Sequence, residues 1–383
     1  MAMTERIYLD WNATAPLRSE SRAAALAALD VIGNPSSVHG EGRAARRLIE
    51  QAREQVAALV GAEARNVVFT AGGTEANMLA LVPMATRERL LTSAIEHPSV
   101  LAGGRFPAGD VERLPVTADG QIDLAALERR LAALGGRALV SIMAANNETG
   151  VVQPVAQAAR LVQSAGGLLH VDAVQAAGRI ACDISAMGAD LLTLSAHKIG
   201  GPKGVGALIG RTGLDAFKPL ITGGGQERGA RAGTENVAGI AGFGAAAAAA
   251  RAALAAEAAR MAALRDRLES GLKAATPEVL VFGIGAERLP NATLFAAPGM
   301  KAETAVIAFD LEGVAVSAGA ACSSGKVQPS HVLAAMGVPP PLARAAVRVS
   351  LGPTTMESDV DRFVEAWIKV SASLLRQSQG IAA

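Results

Sequence analysis

The sequence predicts an α/β protein built on an open, mostly parallel β-sheet with helices covering both faces. The first 230 residues alternate short apolar runs with segments of helical spacing, as βαβ units do. Unusual polar residues also follow the apolar runs directly, and functional groups in such folds gather at the carboxyl ends of strands. These residues are Thr74, His97, Asn147, Asp172, Ser195, His197 and Lys198.

Helices are predicted where apolar side chains recur at every third or fourth position. Residues 43–60 and 122–134 both show this spacing, and the glycine pair that begins at Gly135 ends the second helix. Pro154 predicts the start of a further helix, which the glycine pair at Gly166 ends.

Strands are predicted where short apolar runs stop at polar or glycine-rich residues. The runs are residues 67–70, 90–95, 138–144, 168–171 and 191–194. Residues 237–275 are rich in alanine, which has the highest helix propensity, so we expect one long helix or two in series. Residues 277–383 mix short strands and helices in a smaller, α+β C-terminal domain.

Composition argues against several classes of function. The 383 residues carry a formal net charge of +1 and only 3% are aromatic, so a nucleic-acid partner is not expected. The uncharged run at residues 236–250 is short for a membrane span, and the charged N-terminal residues do not read as a signal peptide. We therefore expect a cytoplasmic protein without a membrane partner.

The two cysteines lie in different surroundings. Two cysteines in so long a chain fit a reducing compartment. Cys182 has apolar neighbours and is expected to be buried. Cys322 lies among glycine, serine and alanine residues, which favours an exposed thiol, although a tolerated surface cysteine fits the same pattern.

Lys198 is the first candidate for covalent chemistry. It follows a predicted strand and precedes a glycine-rich turn, and a partly desolvated lysine can act as an amine nucleophile. Lys203 in the same turn is a rival. Asp172 is flanked by apolar residues, and a buried carboxylate needs a cation such as a protonated pyridine nitrogen; a helix-capping role is the alternative. Gln175, three residues on, could reach a ring hydroxyl.

Three further positions suggest ligand contacts. Thr74 lies in a strand-to-helix turn that offers backbone N–H groups to a phosphate. His97 could stack on a ring or move protons, although a lone histidine is more often structural. Arg348 alternates with apolar residues on a predicted strand, so it either binds a substrate carboxylate or lies on an edge strand. The five histidines show no metal-ligand spacing, so no metal site is expected.

The chain resembles the NifS/IscS-type cysteine desulfurases, within the class V aminotransferase group of fold type I enzymes that use pyridoxal phosphate. The matching strings run in the family's order from Tyr8 to Gly352: YLDWNATAP, GNPSSVHGEGR, FTAGGTEAN, EHPSV, NNETGVVQP, HVDAVQAAG, SAHKIGGPKGVGAL, GGGQERGARAGTENVAG, SAGAACSSG, SHVLAAMG and RVSLG. Trp11 and Ala15 stand where the family usually has Asn and Thr.

The resemblance implies a role for each matching residue. Lys198 would carry pyridoxal phosphate, with Asp172 and Gln175 on its ring and His97 stacked above it. Its phosphate would be held by Gly73, Thr74, Ser195 and His197, together with Thr234 of the other subunit in a homodimer. Asn147 and Arg348 would orient L-cysteine, and Cys322 would receive its sulfur.

The resemblance also implies architecture and partners. A seven-stranded-type sheet would lie in a large domain, residues 15–250, and residues 1–14 and 251–383 would form the small domain. Lys198 would move the Cα proton, aided by His97, and the products would be L-alanine and a persulfide on Cys322. The sulfur would pass to an acceptor such as an iron–sulfur scaffold, with Cys322 as a possible transient cluster ligand. A selenocysteine lyase, another aminotransferase or a non-catalytic sulfur carrier are the alternatives.

Overall fold

The structure, a computed structural model, describes residues 6–84, 87–213, 218–319 and 330–380, the last six by their backbone alone. The strands are β1 (Ile7–Tyr8), β2 (Val67–Thr70), β3 (Arg89–Ser93), β4 (Val111–Leu114), β5 (Ala138–Met143), β6 (Leu168–Asp172), β7 (Leu191–Ser195), β8 (Gly206–Gly210), β9 (Leu280–Val281), β10 (Ala292–Ala296), β11 (Val314–Ala315), β12 (Ser317–Ala318) and β13 (Val347–Ser350). The helices are α1 (Ser19–Leu29), α2 (Gly40–Leu59), α3 (Gly73–Ala80), α4 (Pro98–Leu101), α5 (Leu124–Leu134), α6 (Val155–Ser164), α7 (Val237–Ala275), α8 (Ala302–Leu311), α9 (His331–Ala335), α10 (Pro340–Ala343) and α11 (Glu357–Gly380).

A seven-stranded sheet organises the larger part of the chain. Its strand order is β2-β8-β7-β6-β5-β3-β4. Strand β8 is antiparallel to both of its neighbours, and the other pairings are parallel. The strands read as continuous apolar runs because helices cover both faces. The predicted α/β fold with a mostly parallel, seven-stranded sheet is therefore confirmed.

A second, antiparallel sheet lies nearer the C-terminus. Its order is β12-β13-β10-β9, and β1 pairs separately with β11 in parallel. Strand β13 lies between β10 and β12, so its residue Arg348 is on an interior strand and is only 2% exposed. The edge-strand interpretation of Arg348 is therefore wrong.

Two apolar cores contact different parts of the long helix α7. One core joins the seven-stranded sheet to α2, α5, α6 and the first part of α7. The other joins the antiparallel sheet to α8, α11 and the later part of α7. Within the second core Phe295 packs edge-on against Trp367, with ring centroids 5.2 Å apart.

Helix α7 is one continuous helix of 39 residues, so the first of the two predicted arrangements is correct. At 1.5 Å per residue it is about 58 Å long. It is long and apolar enough to pass a composition test for a membrane span, but half of its most apolar window is buried inside the protein. Core helices of soluble proteins have this character.

Candidate active site

The carboxyl ends of the parallel strands meet at one edge of the seven-stranded sheet. Strand β2 leads there into α3, β3 into the segment before α4, and β7 into a 3-10 turn at Ala196–Lys198. Strand β8 runs the other way and contributes its first residue, Gly206, at this edge. The predicted site residues that follow the strands at this edge are Gly73, Thr74, His97, Asn147, Asp172, Gln175, Ser195, His197 and Lys198.

An open cleft of about 670 Å³ lies at the N-terminus of α3. Its lining includes the four residues predicted to hold a phosphate, Gly73, Thr74, Ser195 and His197, and also Lys203. The first N–H groups of a helix lack partners within the helix, and its dipole favours an anion there. A Cβ at position 73 would stand 3.1 Å from Val174 Cγ2, a tight contact that glycine avoids.

Thr234 lies apart from this cleft in the single chain. It is exposed and lines a neighbouring cavity of about 170 Å³. Ala71 and Gly204 line both spaces. The single chain therefore does not bring Thr234 together with the other predicted phosphate contacts.

The Lys198 amine is held against backbone carbonyls. Its Nζ donates hydrogen bonds to the carbonyl oxygens of Asn12 at 2.5 Å and Ala13 at 2.8 Å. Burial, together with the nearby guanidinium groups of Arg348 and Arg179, lowers the pKa of Lys198 to about 7. Near neutral pH much of this amine is therefore unprotonated and nucleophilic.

A chain of hydrogen bonds joins Asp172 to His97. Asn77 Nδ2 donates to Asp172 Oδ2 and to Ser99 Oγ, both at 2.9 Å, and Ser99 Oγ lies 2.7 Å from His97 Nδ1. Partial desolvation lowers the pKa of His97, and the Asp172 carboxylate opposes that shift. The sequence analysis missed Asn77, which lies one helical turn after Gly73 in α3 and so on the same side of that helix.

Asp172 lies at the end of β6 without a helix behind it. Its Oδ1 accepts from the N–H of Val174 at 3.0 Å, and residues 174–176 form a turn. The helix-capping alternative is therefore wrong. Gln175, 6% exposed, donates through Nε2 to the Asn12 carbonyl oxygen at 3.0 Å.

Arg348 reaches from the second sheet to the same region. Its guanidinium donates to the carbonyl oxygen of Asn147 at 3.0 Å and to Asp10 Oδ1 at 2.7 Å. The predicted pair, Asn147 and Arg348, is therefore in contact. The sequence analysis did not foresee that a carboxylate of the chain itself, Asp10, would pair with Arg348.

The chain matches a known family over most of its length. The family model described as aminotransferase class-V matches residues 7–363. The chain belongs to the class V aminotransferase family. A protein named cysteine desulfurase from Cereibacter sphaeroides is 46% identical over 372 residues, which cover 94% of each chain. An IscS-like cysteine desulfurase from Mycobacterium tuberculosis is 40% identical over 94% of each chain.

Solved structures agree with these relatives. The X-ray structure of a NifS-like protein from Rickettsia africae has a TM-score of 0.88 and 37% identity, covering 96% of this chain and 100% of that one. A protein named SspA, solved in complex with cysteine, has a TM-score of 0.77 and 31% identity, with 91% of this chain covered. Within the class V aminotransferases the chain is therefore grouped with the cysteine desulfurases.

The described residues of this class V aminotransferase fit pyridoxal phosphate. The cofactor carries a phosphate, an aldehyde and a ring nitrogen. The α3 cleft offers N–H groups and hydroxyls, Lys198 offers an amine with a lowered pKa, and Asp172 offers a buried carboxylate. The buried Oδ1 of Asn77 has no hydrogen-bond partner, as expected where a polar ligand completes the site.

Two buried carboxyl groups next to predicted site residues were missed. Glu96 precedes His97 and is held by Ser93 Oγ at 2.5 Å and the Met143 N–H at 2.8 Å. Glu148 follows Asn147 and accepts from Ser330 Oγ at 2.5 Å. Burial raises the pKa of Glu96 to about 8 and that of Glu148 to about 7. The strings EHP and NNE contain both residues, but the sequence alone does not reveal their burial.

Trp11, one of the departures from the family pattern, is buried behind the lysine. It is 6% exposed and lines a small cavity of about 30 Å³ together with Lys198, Arg179 and Gly352. A Cβ at position 352 would stand 2.0 Å from the Trp11 ring. The large indole therefore requires glycine at position 352.

The structure describes only one of the two cysteines. Cys182 is 4% exposed, and burial raises the pKa of its thiol to about 12, so the expected burial is confirmed. Cys322 lies outside the described residues, and its predicted role stays a prediction. Among the described residues no cluster of His, Cys, Asp and Glu is suited to a metal ion.

Proposed function

We propose that the protein removes sulfur from L-cysteine, with Lys198 holding pyridoxal phosphate and Cys322 accepting the sulfur. The observation that carries the proposal is the lysine amine of lowered pKa at the edge of the sheet, near the α3 cleft and the buried Asp172 carboxylate. The relatives named cysteine desulfurase and the cysteine complex of SspA support L-cysteine as the substrate.

Pyridoxal phosphate, when bound, would supply an aldehyde for the substrate amine and an electron sink. Asp172 and Gln175 would contact its ring and His97 would stack on it. Its phosphate would be held by Gly73, Thr74, Ser195 and His197. Lys198 would take the Cα proton, and Arg348 with Asn147 would orient the substrate carboxylate.

Cys322 would complete the reaction as the sulfur acceptor. Its thiolate would attack the substrate sulfur, and the bond between that sulfur and Cβ would break towards carbon. The substrate carbon would then take up a proton and leave as L-alanine, while the sulfur would remain as a persulfide. His97 would assist these proton transfers, because its Nδ1 is fixed and its ring stays open to solvent.

We further propose a cytoplasmic homodimer in which Thr234 reaches the phosphate bound by the partner subunit. The exposure of Thr234 and its cavity next to the cleft support this assignment. Residues 15–250 would form the cofactor domain, and residues 1–14 with 251–383 the smaller one. The persulfide sulfur would pass to an acceptor such as an iron–sulfur scaffold.

Cysteine variants test the proposal directly. Cys322→Ser should lose sulfide release and keep the yellow, cofactor-bound protein, whereas Lys198→Ala should lose the visible absorbance of the lysine-bound cofactor. Cys182→Ala is the matched control and should release sulfide at the normal rate, because its thiol is buried and protonated. Sulfide release at the normal rate by Cys322→Ser would refute the assignment.

A further inference from the structure

The Arg348 guanidinium is buried and already neutralised within the chain. Its side chain is 3% exposed, and its charge is paired with the Asp10 carboxylate at 2.7 Å. A buried cation without a partner is costly by several kcal/mol. Asp10 therefore stabilises Arg348 in the substrate-free protein.

Asp10 is held firmly in this place. It forms a parallel bridge with Ser350, two residues after Arg348, and the Ser350 N–H donates to the Leu9 carbonyl oxygen at 2.8 Å. The Tyr8 hydroxyl lies 3.0 Å from the Asp10 carbonyl oxygen and 2.9 Å from that of Thr14, so its hydrogen is shared between them. The backbone on both sides of the ion pair is thus fixed to one sheet, and the Asp10 side chain stays 19% exposed.

A second carboxylate bound to Arg348 would lie close to the Asp10 carboxylate. One Nη donates to the Asn147 carbonyl oxygen and the other to Asp10, while Nε is buried without a partner. An amino-acid carboxylate that binds this guanidinium must take over the Asp10 position or stand close to it. Two carboxylates at that distance repel one another in a partly buried site.

We propose that Asp10 is a placeholder carboxylate that occupies Arg348 until the α-carboxylate of the substrate displaces it. The inference rests on the proposed function, because it takes Arg348 as the carboxylate-binding residue. Substrate and product both carry an α-carboxylate, so Asp10 weakens the binding of both. Asp10 is thus a specificity residue that limits retention of L-alanine.

The test is Asp10→Asn in the cofactor-loaded enzyme. The KM for L-cysteine and the Kd for L-alanine should both fall by about tenfold, because a competing charge is removed. The kcat should change little, because the substitution affects the binding of the substrate and of the transition state equally. Cysteamine, which is cysteine without its carboxylate, should bind within about twofold of its wild-type affinity.

Two further variants keep the test decisive. Asp361→Asn removes an exposed ion pair with Arg267 and should leave all four constants unchanged. If Asp10→Asn fails to fold, Asp10→Ser removes the same charge with a smaller side chain. A rise in the Kd for L-alanine, or an equal shift for cysteamine, would overturn the proposal. Alanine binding is measured by calorimetry, so it remains informative even if the enzyme releases no sulfide.

Discussion

Burial shifts the pKa of Lys198 and that of Glu96 in opposite directions at the same sheet edge. In both cases desolvation favours the neutral form, so the lysine pKa falls to about 7 and the carboxyl pKa rises to about 8. The same environment therefore provides a neutral nucleophile and a protonated carboxylic acid near neutral pH.

The lowered pKa of Lys198 predicts how the cofactor-free protein captures pyridoxal phosphate. The capture rate should rise with pH through about 7 and then level off, because only the neutral amine attacks the aldehyde. An ordinary lysine would show its rise near pH ~10.4. Stopped-flow absorbance after mixing with the cofactor measures the profile. A rate still climbing above about pH 9 would contradict the prediction.

Glu96 predicts a pH-dependent stability. Its pKa of about 8 lies above the ordinary glutamate value of 4.5, so between these pH values the folded protein binds more protons than the unfolded chain. The contribution to the free energy of unfolding is therefore full below pH 4.5 and is lost as pH rises through 8. Glu96→Gln keeps an oxygen for Ser93 and Met143 but does not titrate.

Urea unfolding of the cofactor-loaded enzyme measures this pH dependence of stability. The free energy of unfolding of Glu96→Gln minus that of wild type should be larger at pH ~8 than at pH ~5, by roughly 3 kcal/mol. Glu128→Gln, at an exposed position of α5, should show no such difference. The same stability offset for Glu96→Gln at both pH values would show that the carboxyl group does not titrate in this window.

At the scale of elements, the strand ends were predictable and their supporting contacts were not. The apolar runs and the polar residues after them predicted the edge at which Asp172 and Lys198 lie. The partners of these residues come from far along the chain: Asn77 is 95 residues from Asp172, and Asn12 is 186 residues from Lys198. Such contacts depend on tertiary packing, which local patterns do not encode.

Helix α9 offers a test of one supporting contact. Ser330 caps its N-terminus by accepting the Leu333 N–H and also donates to the buried Glu148. Ser330→Ala should lower the free energy of unfolding by roughly 2–3 kcal/mol, because it removes a cap and leaves a buried acceptor unpaired. Ser270→Ala, at an exposed serine of α7, is the control and should cost under about 0.5 kcal/mol. If Ser330→Ala lowered the free energy of unfolding by as little as the control does, this cap would contribute little to stability.

At the scale of the whole molecule, the sequence predicted the sheet and the long helix but left the second sheet vague. Its strands β9 and β12 have two residues each, too few to show a period. From the sequence, Arg348 could therefore lie on an edge strand or an interior strand. The pairing of β13 with both β10 and β12 shows that the strand is interior.

The proposed dimer predicts complementation between two defective chains. Lys198→Ala removes the cofactor amine, and Thr234→Asp places a negative charge towards the partner's phosphate. Each homodimer should be inactive, but chains unfolded together and refolded as a mixture should regain about a quarter of wild-type activity, because half of the dimers gain one intact site. Separately refolded samples, mixed afterwards without exchange, are the control. No recovery in the co-refolded mixture would mean that each site belongs to a single chain.

The contact between Asp10 and Arg348 joins residues 338 positions apart. During synthesis on the ribosome, the N-terminal segment that receives the Lys198 amine emerges among the first residues, yet its strand partners near Ser350 emerge among the last. A nascent chain that stops short of β13 cannot close this contact. The ion pair at the proposed carboxylate site therefore closes only when translation is nearly finished.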